Sequence, residues 1–275
     1  ELIALLIRSY AGPGDEVLHS AHGFLMYRLS ALAAGATPVA APEDELRTSV
    51  DALLARVTPR TRLVFLANPN NPTGTYLAKG EIARLHEALP ADVLLVLDAA
   101  YREYVDAADY DDGRALARPA DNLVVIGTFS KIMGLAGLRL GWAYAPASVA
   151  DVLNRVRGPF NVAAPAQAAG AAALRDDAHV AAAKAHNDRW RPWLDEGLHE
   201  LGYATTPSVA NFVLMRCADQ EAAARVLAVL ERGGVLARAM GAYGLPAAVR
   251  LSVGLAEENR RAVDLLAAAR AELAA

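Results

Sequence analysis

Three stretches of this 275-residue chain carry apolar runs into side chains that could do chemistry. Leu123-Val-Val-Ile126 is a short β-branched run, and Thr128, Ser130 and Lys131 follow it in a polar turn. Glycines at 134, 137 and 141 let the backbone fold tightly around that lysine, and Arg139 adds a fixed positive charge. Asp92-Val-Leu-Leu-Val-Leu-Asp98 ends in a carboxylate, with Tyr101 three residues on. Thr61-Arg-Leu-Val-Phe-Leu-Ala67 runs into Asn68-Pro-Asn-Asn-Pro-Thr-Gly74, a rigid turn that holds Asn71. Together they offer an amine, an acid and an amide. A lysine amine is a nucleophile only when deprotonated, against a free pKa of roughly 10.4. Nearby cations and partial burial both lower that value. Taken singly, each stretch also has a plainer reading: a solvated lysine at a strand end, a helix-capping aspartate and an ordinary Asn-Pro turn.

The surrounding elements decide where these groups meet. Leu2 to Ile7 reads as a helix already under way with no cap ahead of it, which predicts a segment upstream of Glu1. Strands over Glu16–Leu18 and Ala36–Ala40 flank a helix from Tyr27 to Ala34 that Gly35 closes. Helices over Ser49–Val57 and Lys79–Leu89 separate the later strands. Strands without polar alternation, separated by helices, predict an α/β fold with a mostly parallel sheet sandwiched by helices. Ligands of such sheets bind beyond the carboxyl ends of the strands, the edge that Asn71, Asp98 and Lys131 share.

From Asp151 the composition turns to alanine-rich helix, and Val162 to His186 reads as one long helix linking two domains. Beyond Trp190 a smaller α/β unit is expected, with strands at 211–216, 235–237 and 249–253 and helices at 220–232 and 257–273. The division is therefore a large domain over 1–157, a linking helix over 158–190 and a small C-terminal domain over 191–275. Trp190 and Trp193 are expected to pack between the linking helix and the small domain.

Composition narrows the function class. The chain is 54% hydrophobic and 21% charged, as globular proteins are. A net charge of −4 and a pI near 5.9 argue against nucleic acid or an anionic membrane as the main partner. No apolar run reaches the roughly 18 residues of a membrane span, no basic leader with a cleavage site is visible, and a cytoplasmic location is expected. The single cysteine, Cys217, lies in a strand-like run and reads as a small buried hydrophobe. His19 and His22 lack the further ligands that would complete a metal site, so none is expected. Asp106 to Asp112 fails the calcium-loop template, because Arg114 stands where the glycine should be, and reads as a solvated loop.

The order Asn71, Asp98, Tyr101, Lys131, Arg139 resembles that of fold-type I pyridoxal phosphate enzymes, the aspartate aminotransferase superfamily. Ser/Thr-x-Ser-Lys followed by Gly-x-Arg is similar to the family's cofactor-lysine segment, Asp-Ala-Ala-Tyr to its Asp-x-x-Tyr, and the Asn71 turn to its Asn-Pro-x-Gly turn. The resemblance implies a sheet of the seven-stranded type and pyridoxal 5'-phosphate as cofactor, with Lys131 holding its aldehyde and moving a proton as general base and acid. It also implies Asp98 at the ring nitrogen, and Asn71 and Tyr101 at the ring oxygen. For the phosphate it nominates Thr128, Ser130 and Arg139. Phe24, in His19-Ser-Ala-His-Gly-Phe-Leu-Met-Tyr27, falls where the family stacks an aromatic ring on the cofactor, and reads equally as a core phenylalanine. The family's glycine-containing phosphate turn would lie just before Glu1.

Val235-Leu-Ala-Arg-Ala-Met-Gly-Ala-Tyr-Gly-Leu-Pro-Ala-Ala-Val-Arg-Leu-Ser-Val-Gly254 resembles the signature of the histidinol-phosphate aminotransferases. There, arginines matching Arg238 and Arg250 face the substrate anion, with Asn71 beside it. That resemblance implies exchange of an amino group between L-histidinol phosphate and 2-oxoglutarate, both small molecules, by a homodimer. Family members complete each site with an N-terminal segment and a partner subunit's tyrosine. An aromatic amino-acid aminotransferase, a threonine-phosphate decarboxylase and a non-catalytic fragment retaining the fold stay open from the sequence alone.

Overall fold

The computed structural model describes residues 1–269. In chain order, α1 (Leu2–Tyr10), β1 (Glu16–Ser20), α2 (Leu25–Ala33) and β2 (Thr37–Ala41) lead to a small hairpin, β3 (Glu43–Asp44) with β4 (Arg47–Thr48). Then come α3 (Val50–Leu54), β5 (Thr61–Ala67), α4 (Lys79–Ala88), β6 (Leu94–Asp98), α5 (Arg114–Ala117), β7 (Leu123–Thr128), β8 (Gly141–Tyr144) and α6 (Ala147–Val156). Six strands form one sheet in the order β2-β1-β5-β6-β7-β8. All its neighbours are parallel except β8, which runs antiparallel to β7.

The unbroken apolar strands follow from burial on both faces. On β5, Leu63, Phe65 and Ala67 enter one core while Val64 and Leu66 enter the other; on β6, Leu94 and Val96 oppose Leu95 and Leu97. Leu5, Leu6 and Ile7 of α1, Ala31 of α2 and Leu153 of α6 cover the first face. Val50 and Leu53 of α3 and Ile82 and Leu85 of α4 cover the second. Parallel strands leave all their C-terminal ends on one edge, so the turns after β5, β6 and β7 lie side by side.

The remainder comprises α7 (Ala164–Ala173), α8 (Asp177–Glu200), β9 (Ala204–Thr205), β10 (Phe212–Arg216), α9 (Gln220–Arg232), β11 (Arg238–Ala239), β12 (Ala248–Ser252) and α10 (Ala256–Ala268). Its sheet is antiparallel, ordered β11-β12-β10-β9. Val213, Met215, Val249 and Leu251 face a core with α8, α9 and α10. Period-2 alternation then turns Phe212, Leu214 and Arg250 to the opposite face, toward the six-stranded sheet.

Several elements differ from expectation. The single helix expected over 162–186 is two, because the Asp176 side chain accepts from the His179 backbone N–H at 3.0 Å and starts α8 afresh. The strand expected at 235–237 forms at Arg238–Ala239, where Arg238 pairs in register with Arg250. β8 takes up residues read only as a tight glycine turn; a Cβ on Gly127 would overlap the ring of Trp142. The stretch read as a solvated acidic loop is tied down: Asp106 pairs with Lys184 at 2.5 Å, Asp112 with Arg102 at 2.7 Å, and Asp109 accepts from Tyr76 at 2.9 Å. The last four residues of the helix expected over 257–273 lie outside the described residues. Trp190 is buried and packs against Trp193 and under the Arg260 guanidinium, joining α8 to α10 as expected.

Candidate active site

Asp98 ends β6 and is buried. Its Oδ2 accepts from the Tyr27 hydroxyl at 2.8 Å, and its Oδ1 from the Ala100 backbone N–H at 3.2 Å. Burial pushes its pKa up, while those two donors and the nearby Lys131 pull the other way. Among the described residues nothing ion-pairs with it, so the carboxyl is provisioned for a cationic partner.

Lys131 lies in the turn beyond β7, with Nζ 5.2 Å from the centre of the Tyr101 ring. Burial depresses its pKa first, and the positive field of Arg250 adds to that; Asp98 opposes, and Arg139 and Arg238 depress it further. Burial and the neighbouring arginines thus move Lys131 in the direction of the neutral amine that a carbonyl nucleophile requires. Tyr101 is buried edge-on to Phe212, and burial raises its phenol pKa well above the ordinary value.

Asn71 belongs to a turn that hydrogen bonds build on both sides. Asn70 N–H donates to Thr75 O and Gly74 N–H to Asn70 O, each at 2.8 Å, and the Asn68-Pro69 and Asn71-Pro72 bonds are cis. The segment ahead of β10 clasps it: Thr206 Oγ1 donates to Thr73 O at 2.5 Å and Val209 N–H to Gly74 O at 2.9 Å. Arg250 Nη1 donates to Asn71 Oδ1, which leaves the Asn71 NH₂ as the group able to donate elsewhere. The Arg250 guanidinium lies 4.8 Å from the Phe212 ring centre, with Nε buried and unpartnered. Arg238, its register partner on β11, stands 6.0 Å from the ring of Tyr243.

The structure thus brings Asn71, Asp98, Tyr101, Lys131 and Arg250 together. Thr128 and Ser130 shape the lysine turn: Ser130 N–H donates to Thr128 Oγ1 at 3.0 Å, and that hydroxyl donates to Leu140 O at 3.4 Å. Arg139 is exposed and left-handed at φ 55°, bonded to Ala136 O at 2.6 Å, and reaches Lys131 through its charge rather than by contact. Phe24 caps α2 and meets Tyr27 edge-on at 5.8 Å, at the seam with Tyr243. Sequence reasoning missed Tyr27 and Tyr243. The signal for Tyr27 is its place three residues after Phe24, in the first turn of α2, where a hydroxyl can reach the end of β6. Among the described residues no His, Cys, Asp or Glu group could hold a metal. His19 is buried against Tyr27, and its Nδ1 meets Ser20 O at 2.7 Å. Cys217 is half-buried, and burial pushes its thiol up to about 11, which makes it a poor nucleophile.

The family model for aminotransferase class I and II matches residues 1–266. The chain belongs to the class I and II aminotransferases. It is 57% identical over 269 residues to the histidinol-phosphate aminotransferase of Paramagnetospirillum magneticum, covering 97% of this chain and 74% of that one. The corresponding protein of Dinoroseobacter shibae is 54% identical, with 100% and 75% covered. Among solved structures, the histidinol-phosphate aminotransferase of Sinorhizobium meliloti in complex with pyridoxal 5'-phosphate superposes with a TM-score of 0.90 at 29% identity, covering 99% of this chain and 74% of that one.

Aminotransferases of this family use pyridoxal phosphate, and the residues present fit it. A buried carboxyl with no ion-pair partner among the described residues, its charged form supported by the Tyr27 hydroxyl and the Ala100 N–H, suits a protonated ring nitrogen. A depressed lysine suits an aldehyde, and the free amide of Asn71 suits a ring oxygen. No helix among the described residues is long and apolar enough to cross a membrane.

Proposed function

We propose that the chain transfers the amino group of L-histidinol phosphate to 2-oxoglutarate, giving imidazole acetol phosphate and L-glutamate in histidine biosynthesis. The observation that carries this reading is the pair of guanidiniums, Arg238 and Arg250, brought level on adjacent strands with Asn71 bonded to one of them. Histidinol phosphate carries a phosphate dianion where an amino acid carries its α-carboxylate, and two arginines suit that charge and its oxygens. The high identity to curated histidinol-phosphate aminotransferases supports the same reading.

Pyridoxal phosphate, when bound, supplies the aldehyde that takes up the amine and the ring that spreads the charge left on the substrate α-carbon. Lys131 would hold the cofactor through its aldehyde, and its amine would serve as the base and acid for the substrate α-proton. Asp98, whose Oδ2 accepts from the Tyr27 hydroxyl, would hold the cofactor's ring nitrogen and favour its protonated form. Asn71 and Tyr101 would hold the cofactor's ring oxygen by hydrogen bonds, Thr128, Ser130 and Arg139 would hold its phosphate, and Phe24 would supply an aromatic contact to its ring. Arg250, with Arg238, orients the substrate anion. The reading includes a large domain over 1–157, a connection over 158–190 and a small domain over 191–275, assembled as a homodimer in the cytoplasm.

A substrate panel on purified protein supplied with pyridoxal phosphate tests this. The highest kcat/KM is expected for L-histidinol phosphate. Preference for phenylalanine, or carbon dioxide release from threonine phosphate, would replace the reading with an aromatic aminotransferase or a decarboxylase.

A further inference from the structure

We infer that His22, held in place by Glu43, is a specificity-determining residue that receives the imidazole ring of the amino donor. This rests on the donor being histidinol phosphate, as proposed above. His22 belongs to the loop after β1, and three neighbours place it at the rim of the site. Its carbonyl accepts from the side-chain amide of Asn70, the residue before Asn71, at 3.4 Å. Phe24 follows it by two residues. Its ring lies against the turn that carries Tyr243: a Cβ on Gly244 would sit 3.8 Å from His22 Cδ2 and 3.9 Å from Nε2. Gly244 is left-handed at φ 77°, so that wall is held by a residue without a side chain.

Glu43 fixes the ring. Its side chain is 2% exposed, against 22% for His22, and both its oxygens bond to that one residue. Oε1 accepts from the His22 backbone N–H at 3.1 Å, and Oε2 meets Nδ1 at 2.9 Å. In the neutral ring, the Nδ1 proton faces the carboxylate acceptor and Nε2 has the lone pair. The hairpin that delivers Glu43 takes non-glycine residues into the left-handed region at Glu45 (φ 48°) and Leu46 (φ 67°). Leu46 then packs into the same apolar cluster as Phe24 and Tyr243. Strain of that kind persists where neighbours enforce it, and here it sets a buried carboxylate behind one histidine.

The chemistry matches one end of the donor. With the phosphate on Arg250 and Arg238, the imidazole of histidinol phosphate is the end left for His22, beside the Asn71 and Tyr243 turns, and its ring N–H is a donor for the Nε2 lone pair. Glutamate, the other amine in the cycle, has an acceptor-only carboxylate there and gains nothing from His22. The residue therefore separates the two half-reactions by affinity.

The test uses the holoenzyme and its His22→Ala and His22→Gln variants. KM is measured separately for L-histidinol phosphate and for glutamate, with the visible cofactor spectrum and the melting temperature recorded alongside. Expected for His22→Ala is a rise of about tenfold in KM for histidinol phosphate, with kcat, the KM for glutamate and the spectrum unchanged. His22→Gln, whose amide can occupy the Nε2 position, should recover much of the loss. Equal KM shifts for both amines, or no shift in a folded His22→Ala enzyme, overturn the assignment alone. A parent enzyme that does not turn over histidinol phosphate overturns the functional reading and this assignment with it.

Discussion

Arg250 on the four-stranded sheet donates through Nη1 to Asn71 Oδ1 beyond the end of β5, so two residues 179 positions apart orient each other across the site. The arginine proposed for the substrate anion thereby also decides which end of the Asn71 amide is free. Arg250→Lys keeps the charge but loses the planar fork. About 2–3 kcal/mol of binding should go, a rise of about 30- to 160-fold in KM for amino donor and acceptor alike. Steady-state kinetics on each substrate, with the bound-cofactor spectrum as control, reads this out.

Lys131 has its amine pushed below the ordinary lysine value by burial and by Arg250. Covalent capture of pyridoxal phosphate by the apoprotein should therefore speed up with rising pH and level off before a free lysine would. Lys131→Ala should show no adduct by mass after borohydride reduction and no transamination. An active Lys131→Ala enzyme would sink the assignment.

Asp98 titrates in the opposite sense, raised by burial. A carboxyl that is raised on folding contributes stability below the unfolded carboxyl range and loses it as pH climbs through the folded value. Asp98→Asn apoprotein should consequently lose less stability between acid and neutral pH than the parent. Urea titrations of both at several pH values measure the difference. Tyr27→Phe removes a donor that lowers the Asp98 pKa, so the parent's decline should steepen, with about 1 kcal/mol of stability lost.

Gly74 closes the Asn71 turn at φ 75°, and a Cβ there would overlap the Ser208 side chain and stand 2.8 Å from Ser208 Cα. Gly74→Ala should destabilise by about 2–4 kcal/mol and weaken cofactor binding, because the backbone on both sides must shift. Chemical denaturation and cofactor titration check the two effects separately.

The sheet was legible because burial on both faces wrote unbroken apolar runs at Thr61–Ala67 and Leu123–Ile126, and because each run ends in a side chain too polar for a core. Asn71, Asp98, Tyr101, Lys131 and Arg250 followed from those runs and from family spacing. Tyr27 was not legible: its partner lies 71 residues away, and only the assembled sheet puts the α2 hydroxyl over β6. The His22–Glu43 pair was hidden too, since β3 and β4 are two residues each and left-handed at residues that give no warning. The break before α8 depended on one aspartate cap inside an alanine-rich run that otherwise favours unbroken helix.

The Asn71 turn hangs from Thr206 and Val209 as much as from its own strand. Grafting the C-terminal portion of a relative onto this chain, as one would to borrow a new substrate preference, would also re-hang the Asn71 amide. In this architecture, replacing the C-terminal portion and resetting the Asn71 turn are a single operation.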